Sequence, residues 1–206
     1  MTINVHNAGK KFYREWIFRK LELTLKKGSK CVILGPNGSG KSTLLQILSG
    51  AVGLNEGEIK FFIEEKLIDE EEVYNYVSVC APYLELIEEF TFREIIRFHF
   101  KFKKIVNGFS EVDVLRISGM ENSADKVMRF FSSGMKQRAK LTLAILSDVP
   151  LLLLDEPCSN LDRSVVFWYQ KMISDYAMNR TIIVASNHQE EEYLFCDEKI
   201  SVDTFK

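Results

Sequence analysis

The stretch CVILGPNGSGKSTLLQIL, residues 31–48, constrains this chain more than any other. Four apolar residues run without a break into Gly35, as a strand buried on both faces does. From Ser42 to Ser49 the apolar residues fall at helical spacing. Between strand and helix, Gly35, Gly38 and Gly40 let the backbone wrap closely around a ligand without Cβ clashes. The amides of residues 38–43 and the start of the helix supply donors and a positive dipole end, which suits an anion. The spacing G-x-x-x-x-G-K-S places Lys41 to reach the β- and γ-phosphates of a nucleoside triphosphate and Ser42 to ligate Mg²⁺.

A second apolar run, LLLLDEP (151–157), ends in an acidic pair. Asp155 at the strand end can hold the magnesium ion. Glu156 points differently and is free to orient or deprotonate an attacking water. A third buried run, TIIVAS (181–186), leads to His188, which at the edge of a parallel strand could hydrogen-bond a γ-phosphate and sense its loss. RFFSSGMKQR (129–138) lies between the first and second motifs. Ser132 and Ser133 are good N-cap residues and Gly134 allows close approach, so this helix start is a second anion site.

Buried runs alternating with helical patterns indicate an α/β sheet covered on both sides. Alternating residues 2–6 and 21–26 read as half-exposed strands. Further strands are expected after a turn in 55–62, over 73–81 and over 199–202. Helices are expected over 91–106, 111–120, 134–147, 163–178 and 190–195. Residues 84–131 interrupt the alternation and read as an inserted helical subdomain of a single domain covering residues 2–203. The aromatic group Phe90, Phe92, Phe98, Phe100 and Phe102 reads as the core of that insertion. Lys101, Lys103 and Lys104 read as a solvated face.

With 206 residues, 46% hydrophobic, 27% charged and a formal net charge of −2, the chain can bury a sizeable core. It offers no bulk electrostatic case for nucleic acid. No stretch reaches the ~20 apolar residues of a membrane span, so any work at a membrane requires another chain. Cys31, Cys80, Cys158 and Cys196 have no metal-type spacing and read as small buried hydrophobes in a reducing compartment.

With the phosphate loop, RFFSSGMKQR, LLLLDEP, SNLD and ASNH in this order, the chain resembles the ATP-binding subunit of an ABC transporter over about residues 2–203. The resemblance implies a P-loop NTPase with a mostly parallel core sheet, an N-terminal antiparallel β subdomain and an inserted α-helical subdomain. It implies that Phe12 or Tyr13 stacks on adenine, with Phe12 favoured by its distance from Gly28. Gly35, Pro36, Asn37, Gly38, Ser39, Gly40, Lys41, Ser42 and Thr43 would bind the triphosphate. Ser132, Ser133 and Gly134 would contact the γ-phosphate held by a second subunit, and Asp162 would line the dimer interface. Ser42 and Asp155 would serve Mg²⁺, Glu156 would act as the base on water, and His188 would be the switch histidine. The implied partners are ATP, an integral membrane transporter subunit and a second ATPase subunit, identical or related. The implied place is the inner face of the cell membrane.

Three departures accompany the resemblance. The signature usually reads LSGGQ and here reads FSSGM, with Ser133 and Met135 as the changes. No glutamine occurs in VSVCAPYLELIEEF, where the family has one near residue 82; Pro82, Tyr83 or Glu85 takes its place. The chain ends soon after KISV, so no C-terminal regulatory domain is expected. Non-transport ABC ATPases and a weakly active ATP-dependent clamp are the alternative readings.

Overall fold

The computed structural model describes residues 1–159 and 161–205. The chain opens with a long antiparallel hairpin, β1 (Thr2–Phe12) and β2 (Glu15–Leu25), which turns at Tyr13 with φ 54°. Both strands run well past their alternating segments. The hairpin register shifts between Val5 and Ala8, again before Lys10, and again before Lys11. Bulges of this kind break the two-residue period without ending the pairing. β4 (Glu56–Ile63) and β5 (Lys66–Ile68) complete a four-stranded antiparallel sheet in the order β2-β1-β4-β5.

The second sheet carries the phosphate loop. β3 (Lys30–Leu34) pairs in parallel with β8 (Thr181–Ser186) and β9 (Glu198–Ser201), and β7 (Leu151–Asp155) pairs with β8 and β6 (Val77–Cys80). The order is β6-β7-β8-β3-β9. Alternate residues of its central strands go to two cores. Val32, Leu152, Leu154, Ile182 and Val184 face one core, made largely by helices. Cys31, Ile33, Leu151, Leu153 and Ile183 face the other, together with α1 (Lys41–Leu48) and the inner face of the antiparallel sheet. All ten are fully buried. This explains why these strands read as continuous apolar runs. Burial of each such leucine or isoleucine contributes about 2 kcal/mol relative to exposure.

The helical side consists of α2 (Phe92–His99), α3 (Glu111–Ser118), α4 (Ser133–Leu146) and α5 (Arg163–Tyr176). Capping boxes start α2 at Thr91 with Glu94 and α3 at Ser110 with Asp113. Phe92, Ile95, Val114 and Leu115 of the inserted segment belong to the same core as Leu152 and Ile182 of the sheet. The insertion therefore has no apolar core of its own.

The expected helix over 91–106 ends at His99. Beyond Phe98 the apolar spacing changes to period two (Phe98, Phe100, Phe102), which no helix face can bury. The aromatic group divides accordingly. Phe92 is fully buried, Phe90 and Phe100 pack on the core edge, and Phe98 and Phe102 stay exposed. The expected strand over 73–81 shortens to Val77–Cys80, because Glu70–Asn75 forms 3-10 turns. The expected helix over 190–195 is a single 3-10 turn, Glu190–Glu192. Three of the four free cysteines are buried and Cys196 is half-buried, and burial pushes all four thiols up to about 12.

Candidate active site

β3, β7 and β8 end level with one another, Leu34 pairing with Ser186 and Asp155 with Ala185. The crevice beyond the carboxyl ends of such strands is where open α/β sheets bind ligands. Here the phosphate loop forms its floor. Gly38 and Gly40 adopt φ of 78° and 103°. A Cβ on Gly40 would lie 2.3 Å from Ile17 Cγ2, and one on Gly35 would lie 2.4 Å from Ser39 Oγ. At these positions the loop closes only with glycine.

Lys41 is 4% exposed and folds back over the loop, donating from Nζ to the carbonyls of Gly35 (2.9 Å) and Pro36 (3.1 Å). The Ser39 amide donates to Pro36 O at 3.1 Å, so it is already used inside the loop. The Ser39 hydroxyl is buried and has no partner among the described residues. Unpaired buried hydroxyls are uncommon and mark places where a further polar group belongs.

Asp155 is 2% exposed and lines the same cleft as Ser42. Burial raises its carboxyl above the ordinary range; the nearby Ser42 hydroxyl opposes this and neighbouring Glu156 adds to it. Glu156 adopts φ 44°, a costly conformation for a non-glycine residue. Its amide donates to Ala185 O at 2.9 Å, and its Oε1 lies 3.9 Å from Lys41 Nζ. One cleft of about 420 Å³ therefore brings together Lys41, Ser42, Thr43, Asp155 and Glu156, with Asn37 and Gly38 on its floor and Phe12 at its mouth. Phe12 is half-exposed there under Lys10 Nζ, whereas Tyr13 is fully exposed and lies outside the cleft.

The residues of RFFSSGMKQR stand elsewhere. Ser132 caps α4, its hydroxyl accepting from the Met135 amide at 3.3 Å. Ser132, Gly134 and Asp162 share a second depression of about 340 Å³, which has no lining residue in common with the first cleft. Asp162 caps α5 through bonds from the amides of Ser164 (2.9 Å) and Val165 (3.1 Å). Ser133 faces a third cleft instead, beside Pro82, Leu84, Leu86 and Lys136. His188 adopts φ 59°, is exposed and does not line the 420 Å³ cleft.

In the segment without glutamine, Pro82 lies between the two clefts and lines both. Tyr83 faces the phosphate side and Glu85 faces the third cleft.

Three further contributors are not among the expected site residues. Gln137 is buried and donates to Pro157 O at 2.9 Å, tying α4 to the turn after Glu156. Arg138 stacks on Trp168 at 4.6 Å. Glu192 is completely buried and accepts from the Cys158 amide and the Ser186 hydroxyl. Burial pushes its carboxyl up to about 7, with Glu156 and Asp155 adding to the rise and those two bonds opposing it. Within the 3-10 turn Glu190–Glu192 it is buried while Glu190 and Glu191 are exposed.

The parallel sheet, the glycine loop and the Lys41–Ser42–Asp155–Glu156 cluster define a P-loop ATPase. Residues 18–159 match the ABC transporter family. The chain is 31% identical over 196 residues to an uncharacterized ABC transporter ATP-binding protein, YybJ, of Bacillus subtilis, covering 95% of this chain and 89% of that one. It is 25% identical to the Fe(3+) ions import ATP-binding protein FbpC of Fusobacterium nucleatum, covering 98% of this chain but 55% of that one. Among solved structures, a dimeric ATP-binding cassette in a post-hydrolysis state superposes with a TM-score of 0.81 at 23% identity, covering 97% and 93% of the two chains. The chain belongs to the ABC transporter family, as an ATP-binding subunit.

Proposed function

We propose that this chain hydrolyses ATP between two ATPase subunits and so drives a separate membrane subunit. The convergence of Lys41, Ser42, Asp155 and Glu156 in one cleft, while Ser132 and Gly134 sit in another, is the observation that carries this reading. A helix start with exposed hydroxyl and amide groups has no phosphate of its own to bind. Closing over the first cleft of a second copy gives it one, and a two-fold arrangement makes two such sites.

Within each site, Phe12 stacks on adenine. The loop amides and Lys41 hold the triphosphate, while the unpaired Ser39 hydroxyl is available for a further polar contact. Ser42 and Asp155 suit Mg²⁺, which neutralises charge on the phosphates when bound. Among the described residues no cluster of three or more acidic, histidine or cysteine side chains forms a dedicated metal cage. That fits an ion that leans on substrate phosphates and one carboxylate. Glu156 takes the proton of the water whose oxygen attacks the γ-phosphorus, and ADP leaves with the bridging oxygen. Ser132 and Gly134 of the facing subunit hold the γ-phosphoryl group, and His188 completes its surroundings on closure.

The third cleft, with Leu84 and Leu86 beside Pro82, is the seat for the membrane subunit. Among the described residues no helix is long and apolar enough to cross a membrane, so that subunit supplies the membrane attachment. Tyr83 and Glu85, which follow Pro82 where the family's glutamine is missing, carry the link between the phosphate cleft and the third cleft.

Glu156→Gln tests this reading. It should leave ATP binding intact and slow hydrolysis at least ~10²-fold, since general-base catalysis of this kind contributes that much. Near-normal turnover in the variant would remove Glu156 from the mechanism.

A further inference from the structure

We propose that Glu192 is a positioning residue that clips the turn bearing Glu156 to the loop bearing His188. Its Oε1 accepts from the Cys158 amide at 3.0 Å, two residues after Glu156. Its Oε2 bonds the hydroxyl of Ser186, two residues before His188. The Ser186 hydroxyl in turn accepts from the Gln189 amide at 3.2 Å. Thus one carboxyl group joins the chain just after the acidic pair to both sides of His188.

The clip is itself fixed. The Glu192 carbonyl accepts from buried Tyr169 Oη at 2.8 Å, and the Glu192 amide donates to Gln189 O at 3.0 Å. The residues it serves are both strained, Glu156 at φ 44° and His188 at φ 59°. Such conformations persist where the surroundings over-determine them. Glu192 does not line the phosphate cleft, so it acts only through the segments it holds.

A buried carboxyl with two neighbouring acids is costly unless protonated or well bonded. Its Oε2 accepts from the Ser186 hydroxyl when ionised and donates to the Ser186 oxygen when protonated, while Oε1 accepts from Cys158 in both forms. A glutamine reproduces the protonated arrangement, an amide N–H toward the Ser186 oxygen and an oxygen toward Cys158. Alanine offers neither.

The role of Glu156 rests on the function proposed above, and the test separates the two. Wild type, Glu192→Ala and Glu192→Gln are compared in the full chain, by steady-state hydrolysis of MgATP and by amide hydrogen exchange without nucleotide. In Glu192→Ala, kcat should fall at least ~10-fold with KM within ~3-fold, since small misplacements of a catalytic group are costly. Exchange should quicken at least ~10-fold at Cys158 and over 186–189, and stay unchanged in β3. Glu192→Gln should restore all three readouts to within ~3-fold of wild type.

Unchanged exchange in Glu192→Ala overturns the clip. So does equal loss in both variants, or fast exchange extending through β3, which would mark a general packing role. If wild type does not hydrolyse ATP, the proposed function fails, and the exchange comparison still decides the clip.

Discussion

Glu156 and Glu192, the second bonded to the turn that follows the first, show how two carboxylates take different tasks. Glu156 is partly exposed beside Lys41, while Glu192 is sealed behind it. The second has a consequence for stability. Its folded value rises from 4.5 to about 7, so between those values the folded protein holds a proton that the unfolded chain has lost. That contribution is complete below pH 4.5 and is lost as the pH climbs through 7. Glu192→Gln cannot ionise, so its melting temperature relative to wild type should be higher at pH 8 than at pH 4.5. Parallel melting curves across that range would show that Glu192 does not titrate as its burial requires. The motif residues Lys41, Ser42, Asp155 and Glu156 were legible because the chemistry of phosphate fixes their spacing. Glu192 was not, since its role depends on contacts with Cys158 and Ser186 that no local pattern announces.

Among the elements, α4 connects the most parts of the molecule. Its start carries Ser132, its middle sends Gln137 to Pro157, and its end lies under Arg180. Arg180 is buried and donates to the carbonyls of Ser147 (2.7 Å), Ile145 and Tyr176 (3.2 Å). It thereby satisfies groups left over where α4 and α5 end. Burial lowers its guanidinium to about 10, with Asp148 opposing. Arg180→Met keeps the apolar stem but leaves those carbonyls unpaired, so it should cost ~2 kcal/mol and lower the melting temperature by several degrees. An unchanged melting temperature would mean that water replaces the guanidinium. Elements were legible where one period governed a whole segment, as in β7, β8 and α5. They were misjudged where the period changed within a segment. Bulges hid the far half of the β1–β2 hairpin, and the switch to period two after Phe98 ended α2 early.

At the scale of the whole molecule, the anion-binding features fall into two clefts without a common lining residue. The order of motifs along the chain indicated both, but only the fold shows Ser132, Gly134 and Asp162 on one surface and Ser133 turned to another. In the function proposed above, one subunit holds two halves of different sites, and two subunits facing each other complete both. This is the central claim, and the slow-hydrolysing Glu156→Gln protein tests it most directly. Its mass in solution is measured by light scattering with and without MgATP, alone and combined with Ser132→Arg. The account predicts that Glu156→Gln becomes a dimer when MgATP is added, and that the double variant binds ATP yet stays monomeric. Equal ATP-dependent dimerisation of the double variant would contradict it.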